Sequence, residues 1–155
     1  MDEFVLDFDC VGISDGGTIP IGNTGRGQDQ SPEILIWNLS PWARSLAVTL
    51  EDLDHPIRNF THWLIWNLPA KEHIRGGIPA GKTLRSLGNA KQGVAYGMHR
   101  YAGPKPPRGT AHCYRFTVYA LDCRLDLKPS ARKKTFLQAA QGHILQAGCV
   151  EGVFE

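Results

Sequence analysis

Hydrophobic residues recur at every second position in several short stretches of the chain. In the stretch 45–52, Leu46, Val48 and Leu50 alternate with smaller or more polar residues. Such alternation predicts β-strands, because successive strand side chains point to opposite faces. The same strand character, bounded by turn-forming residues, marks four segments: 33–39, 45–52, 61–68 and 112–122.

The region near the C-terminus has helical spacing instead. Three hydrophobic residues recur four apart within 131–148: Phe136, Ala140 and Ile144. Ser130 offers an N-cap and Gly148 a stop, while Gly142 leaves open one helix or two short ones. Strands first and helix last predict a mainly β sandwich and not an alternating α/β fold.

Two segments rich in glycine show no clear periodicity. Residues 12–31 predict a loop or a weakly paired edge. Residues 70–111 also hold many prolines, and an irregular segment of that length is usually functional or carries short strands of its own.

Length and composition predict one globular domain, residues 1–155. The 155 residues are 42% hydrophobic and 21% charged, as in soluble proteins. The start of the chain lacks the pattern of a secretion signal, and no apolar run reaches the roughly 20 residues of a membrane span. Four scattered cysteines with no C-x-x-C pair indicate a reduced, cytoplasmic protein.

Charge is unevenly distributed although the net charge is only +2, which gives no argument for nucleic-acid binding. Residues 1–70 carry a net charge of −7, residues 71–111 a net charge of +7 and residues 112–155 a net charge of +2. The basic segment 71–111 predicts either solvated loop charges or a face for an acidic protein partner.

Two of the predicted strands place a titratable group on an apolar face. Asp52 is in phase with Leu50, and His62 is in phase with Leu64 and with the further apolar residues of its strand, Trp66 and Leu68. A third strand repeats the arrangement, since His112 and Tyr114 are in phase with the apolar residues Phe116, Val118 and Ala120.

These polar groups lie at strand ends, where a sandwich can open a pocket without disturbing its core. A lone histidine on an apolar face is usually a hydrogen-bonded structural residue. The prediction of a pocket therefore depends on all three strands placing polar groups at their ends. A buried carboxylate needs donors, and two imidazoles and a phenol supply them.

The chemistry of this cluster favours a small oxyanion. Imidazole and phenol donate hydrogen bonds to phosphate or carboxylate, and the adjacent segment 101–109 adds Lys105, Arg108 and stiff prolines. Phe60 offers an apolar wall. The alternative is a metal-dependent hydrolase, because two histidines and one or two carboxylates are a zinc or iron ligand set, although the close histidine spacing of such enzymes is absent.

No activated nucleophile is evident. Cys113 is out of phase with His112, and no serine lies in a G-x-S-x-G motif.

The same motifs carry a family resemblance. "DLDHP" (52–56), "THW" (61–63) and "YAGPKPPRGTAHCYRF" (101–116) resemble the two signature regions of the phosphatidylethanolamine-binding protein family, also called the Raf kinase inhibitor family. Four further stretches, "QSPEILIW", "WNLPA", "FTVYALD" and "GHILQAG", resemble its bacterial and archaeal branch.

The resemblance implies a two-sheet antiparallel Greek-key β-sandwich with short C-terminal helices and an anion pocket. It implies non-enzymatic binding of phosphate, phosphoethanolamine-like groups or carboxylates without a cofactor or metal, modulation of a kinase or protease partner, and a homodimer. Residues that match the family motifs are Asp52, Asp54, Phe60, His62, Pro106, Pro107, Gly109, His112 and Tyr114. We expect Asp52 to contact ligand and Asp54 to shape the turn. Leu53 and His55 depart from the family pattern.

Overall fold

Two β-sheets and one helix form three layers in the computed structural model, which describes residues 4–58 and 60–155. The strands are β1 (Phe8–Cys10), β2 (Gly17–Thr18), β3 (Ile34–Ile36), β4 (Ser45–Asp52), β5 (Phe60–Leu68), β6 (His73–Ile74), β7 (Thr83–Leu84), β8 (Ala90–Gln92), β9 (His112–Leu121) and β10 (Ile144–Phe154). The helix, α1, is Lys133–Ala140. In this described part, no helix has the length and apolarity that crossing a membrane requires.

The sheets have the topology of a Greek-key sandwich. The small sheet has the order β1-β3-β6, and the large sheet has the order β2-β10-β9-β4-β5-β8-β7. Strand β5 pairs with both β4 and β8, and β9 returns over a long connection to lie beside β4, as in a Greek key. The predicted two-sheet, mainly antiparallel sandwich is confirmed, and the parallel β2–β10 pair is the departure at one edge.

Strand β4 is buried on both faces and joins the two cores. Leu46, Val48 and Leu50 pack between the sheets, and Ala47 packs in a second cluster with Phe136 of α1. The central position of β4 explains why even its polar residues are buried. It ends with its last residue, Asp52, at the rim of the sheet.

Both irregular segments contain short strands, as the sequence allowed. Residues 12–31 hold β2 at the edge of the large sheet. Residues 70–111 hold β6, which completes the small sheet, and β7 and β8, which extend the large one. No convincing periodicity was visible because two or three residues per strand are too few to define one.

The helix prediction for 131–148 is wrong in its second half. Helix α1 ends at Ala140, a turn contains Gly142 at a φ of 82°, and β10 starts at Ile144 and pairs along β9. Gly148 is no helix stop: it lies within β10, where a Cβ would come 2.0 Å from the Leu6 carbonyl oxygen. The N-cap is Arg132, without a side-chain capping bond, and not Ser130.

Candidate functional site

Asp52 and His112 form a buried pair at the end of the large sheet. Asp52 lies opposite Tyr114 of β9 and Phe60 of β5 in the strand register. His112 Nδ1 donates to Asp52 Oδ2 at 2.8 Å, and Asp52 is only 3% exposed. A carboxylate bound at Nδ1 fixes the orientation of the imidazole and leaves Nε2 for another partner.

Asp54 and the second oxygen of Asp52 build the turn after β4. Asp52 Oδ1 accepts the Asp54 N–H at 2.9 Å, and Asp54 Oδ2 accepts the Cys113 N–H at 2.6 Å. Leu53, one of the departures from the family pattern, donates its N–H to the Cys113 carbonyl at 2.9 Å and is 39% exposed. This leucine therefore adds a backbone bond at the end of the ladder, and it lines the cavity that opens beside Asp52.

A β-bulge brings His62 to the cluster, against the sequence phase. Strict alternation would place His62 with Leu64 and Trp66, which pack on the α1 face. The register steps from Leu50↔Trp63 to Glu51↔Thr61, so β5 has one extra residue at His62. The predicted location of His62 agrees with the structure, but the periodicity argument for it is wrong.

A second bulge in β5 places Leu68 on the opposite face of the sheet from Leu64 and Trp66. The register steps from Leu46↔Leu68 to Val48↔Ile65, and Asn67 lies between them at a φ of 60°. Leu68 consequently packs between the two sheets and not on the α1 face.

His62 is held as a neutral imidazole by its surroundings. It is 4% exposed, and its Nδ1 lies 2.7 Å from the Ala102 carbonyl oxygen, to which Nδ1–H donates. Burial lowers the pKa of His62, and it outweighs the Ala102 bond and the Asp52 charge, which both act to raise that pKa. In this tautomer Nε2 is an acceptor toward the cluster.

Tyr114 places a buried phenol between the two histidines. Its ring centroid is 5.5 Å from that of His62 and 6.2 Å from that of His112. Its hydroxyl is among the buried polar side-chain groups that have no hydrogen-bond partner in the described residues. Burial, and next the Asp52 charge, raise the pKa of Tyr114, so the phenol stays a neutral donor at physiological pH.

The wall beside this cluster is aromatic. His55, the other family departure, stacks on Phe60 with ring centroids 4.0 Å apart, and its Nδ1 accepts the Ile57 N–H. Tyr96 then contacts both Phe60 and His62, at 5.2 and 5.0 Å between centroids. A cavity of about 290 Å³ opens next to Asp52 and His55.

Sequence reasoning missed Tyr96 because nothing in the segment 93–98 indicates a bulky residue at positive φ. Tyr96 and Gly97 have φ values of 52° and 71° between the bridged residues Ala95 and Met98. This is the geometry of a two-residue type I′ turn, in which a tyrosine is costly. Strained backbone of this kind is concentrated at functional sites. The one available signal was Gly97, which marks the turn.

The proline-rich segment supports the cluster from outside. Pro106 is buried and its carbonyl accepts Arg26 Nη2 at 2.5 Å, whereas Pro107 and Gly109 are exposed, the latter at a φ of 83°.

Sequence reasoning also missed Asp29. Its Oδ1 accepts the Gly103 N–H at 2.6 Å and its Oδ2 pairs with Arg100, which fixes the chain on either side of Ala102.

Potential metal ligands converge elsewhere in the described residues. The ligand atoms of Asp122, Cys123 and His143 lie within 4.8 Å of one another, at the other end of β9 from His112. The Asp52, His62 and His112 set does not form such a group in this part of the chain. The described geometry therefore gives the hydrolase alternative no support at this cluster.

We expect the neutral state of His62 to make stability depend on pH. The folded-state pKa lies below the unfolded value of about 6.5, so between the two the unfolded chain binds the extra proton. The contribution of neutral His62 to the free energy of unfolding is therefore fully present above about pH 6.5. It falls as the pH drops, by at most about 1.4 kcal/mol per pH unit. Urea unfolding from pH 7.5 to 5.0 should show a shallower decline in His62→Gln than in the wild type.

The control for this measurement is His73→Gln, since His73 is exposed and its pairing with Glu33 lies at the surface, where an ion pair contributes little. An unchanged pH dependence in His62→Gln would contradict the assignment of a neutral, buried His62.

Comparisons with known proteins agree with the motifs. The family model described as phosphatidylethanolamine-binding protein matches residues 12–155. A UPF0098 protein of Pyrococcus abyssi is 39% identical over 139 residues, covering 88% of this chain and 78% of the relative. A UPF0098 protein of Methanothermobacter thermautotrophicus is 37% identical over 144 residues, covering 92% of this chain and 93% of the relative.

A solved structure has the same fold. A phosphatidylethanolamine-binding protein homologue from Chlamydia trachomatis superposes with a TM-score of 0.84 at 28% identity, over 98% of each chain.

Proposed function

Because this chain belongs to the phosphatidylethanolamine-binding protein family, we propose that it binds a small oxyanion between His112, His62 and Tyr114 and acts without chemical conversion of that ligand. The oxyanion is a phosphate or a phosphate monoester such as phosphoethanolamine, or a carboxylate. The observation that supports this most is the buried Tyr114 hydroxyl, which has no partner in the described part of the chain and lies between two imidazoles.

Each group has a distinct role in this proposal. The Tyr114 hydroxyl donates to an anion oxygen, which removes the cost of its burial. His112, oriented by Asp52, donates Nε2–H when it is protonated. His62 Nε2 accepts, so it selects an oxyanion that still carries a proton, such as a phosphate monoester in its singly charged form.

Asp52 adds selectivity through its charge. A second buried carboxylate could not lie beside it without a proton, whereas a partly protonated ligand satisfies both His62 and Asp52. In this proposal Asp54, Pro106, Pro107 and Gly109 shape the pocket, and Phe60 forms its wall. Modulation of a kinase or protease partner through residues 71–111, a homodimer and a cytoplasmic location stay predictions.

Inorganic phosphate is expected to raise the melting temperature, and His112→Ala is expected to remove most of that shift. Loss of a hydrogen bond to a charged group costs about 1.5–3 kcal/mol, which corresponds to roughly 10- to 150-fold weaker binding. Calorimetric titration with phosphate and with phosphoethanolamine would compare the two ligands directly.

The chain provides a matched control in His143→Ala. His143 forms the same Nδ1–carboxylate contact at 2.8 Å, with Asp122, but is exposed at the opposite end of β9. Equal phosphate responses in His112→Ala and His143→Ala would overturn the proposed site.

A further inference from the structure

A second, larger cavity lies on the α1 side of the large sheet. This groove has a volume of about 1040 Å³ and runs between α1 and the turns around Ile57 and Tyr96. Its apolar side chains include four that are substantially exposed: Ile57, Tyr96, Leu137 and Ile144. Exposed apolar residues that converge on one groove indicate a binding surface, whereas the same residues scattered singly would not.

Charge in the groove is of one sign. Its lining contains the cations Arg58, Arg132, Lys133 and Lys134 and no carboxylate. Lys133 pairs with the buried Glu51 of β4. The other three cations are exposed and form no ion pair within residues 4–58 and 60–155, so an anion would be their first close counter-charge.

The groove shares only Arg58 with the cavity beside Asp52 and is otherwise distinct from the oxyanion pocket. Phe60 and Tyr96 line it and form the wall between the two, since their rings also contact His62 or each other. Neither Asp52 nor His112 lines the groove. A ligand in the groove therefore does not use the buried polar groups of the first site.

We propose that this groove binds a single-chain anionic amphiphile, an unbranched aliphatic carboxylate of medium chain length, with its chain along Leu137, Ile144 and Ile57 and its head group at the cationic rim. The apolar lining accounts for the chain, and the exclusively positive rim accounts for the head group. A second copy of this chain fits less well, because an isologous contact would place the four cations of one groove against those of the other.

Calorimetric titration with octanoate and decanoate, each below its critical micelle concentration, tests the proposal. We expect one site per chain in the groove, with any binding to the oxyanion pocket removed in His112→Ala, and tighter binding of the longer carboxylate. Full burial of two extra methylenes would give about 15-fold, and in an open groove we expect at least about fourfold. Decanol should bind at least about fivefold more weakly than decanoate, because it lacks the charge that the rim recognises.

Leu137→Glu places a carboxylate in the groove and should weaken decanoate binding by at least about tenfold. Thr135→Glu is the matched control, since it adds the same charge to the same helix at an exposed position outside the groove. Lys134→Glu, at an exposed cation that lines the groove and not the cavity beside Asp52, should also weaken decanoate binding, whereas Lys128→Glu, exposed and outside the groove, should not.

His112→Ala separates this site from the oxyanion pocket. We expect it to bind decanoate as the wild type does while it loses the phosphate response. Loss of decanoate binding in His112→Ala would place the head group in the oxyanion pocket and overturn the proposal. So would equal affinity for octanoate and decanoate, or equal binding by Leu137→Glu and Thr135→Glu.

Discussion

Gly103→Ala is expected to destabilise the fold by about 2–3 kcal/mol and to abolish the phosphate response, although Gly103 is outside the ligand cluster. A Cβ at this position would lie 2.4 Å from the Asn23 carbonyl oxygen and 2.7 Å from Asp29 Oδ1. One obstacle is backbone, and Asp29 is held by its bonds to Gly103 N–H and Arg100. The chain must therefore move at Gly103, and the adjacent Ala102 carbonyl that orients His62 moves with it.

Urea unfolding and phosphate titration of the same protein would measure both effects. Gly22→Ala is the control, because Gly22 lies in the neighbouring short 3-10 helix Ile21–Asn23, with nothing within 4 Å of an added Cβ. It should cost well under 1 kcal/mol and keep the phosphate response. A stable Gly103→Ala protein with normal phosphate binding would show that the Ala102 carbonyl does not position His62.

The fold was predictable from sequence wherever a strand was long enough to show its period. Strands β4 and β9 supply eight and ten residues, and their alternation placed Asp52, His112 and Tyr114 on one face, as the structure has them. Strand β10 escaped notice because two glycines, an alanine and a glutamine interrupt its apolar positions. Its alternation is visible only after Gly148, and the part of β10 before that glycine had been assigned to the helix.

The site was predictable as a set of residues but not as a geometry. An argument from strict alternation assumes an uninterrupted strand and cannot anticipate a β-bulge. The extra residue at His62 reverses the face on which β5 places the His62 side chain. Family motifs identified His62 without that argument. Tyr96 and Asp29 lay beyond both methods, because their roles depend on a strained turn and on a hydrogen bond across 74 residues of sequence.

Asp52→Ala is expected to cost about 3 kcal/mol of stability, since removing one partner of a buried pair leaves the other without compensation. Asp52 is 3% exposed and serves both His112 Nδ1 and the Asp54 N–H, so its loss also weakens the turn after β4. Asp122→Ala is the control, because it removes an exposed partner of His143 and should cost less than about 1 kcal/mol. Denaturant unfolding of the two variants gives the comparison directly, and equal costs would contradict the buried role of Asp52.

Asp52→Asn decides between two opposite effects of the same carboxylate on an anion. As a negative charge near the pocket Asp52 repels the ligand, and its removal alone would tighten binding. As the partner of His112 Nδ1 it stabilises and orients the imidazolium that donates to the ligand, and its neutralisation would weaken binding. We expect the second effect to dominate, because the contact with His112 is direct, and therefore expect at least about tenfold weaker phosphate binding in a stably folded Asp52→Asn protein. Tighter phosphate binding in this variant would mean that His112 recognises the anion without help from Asp52.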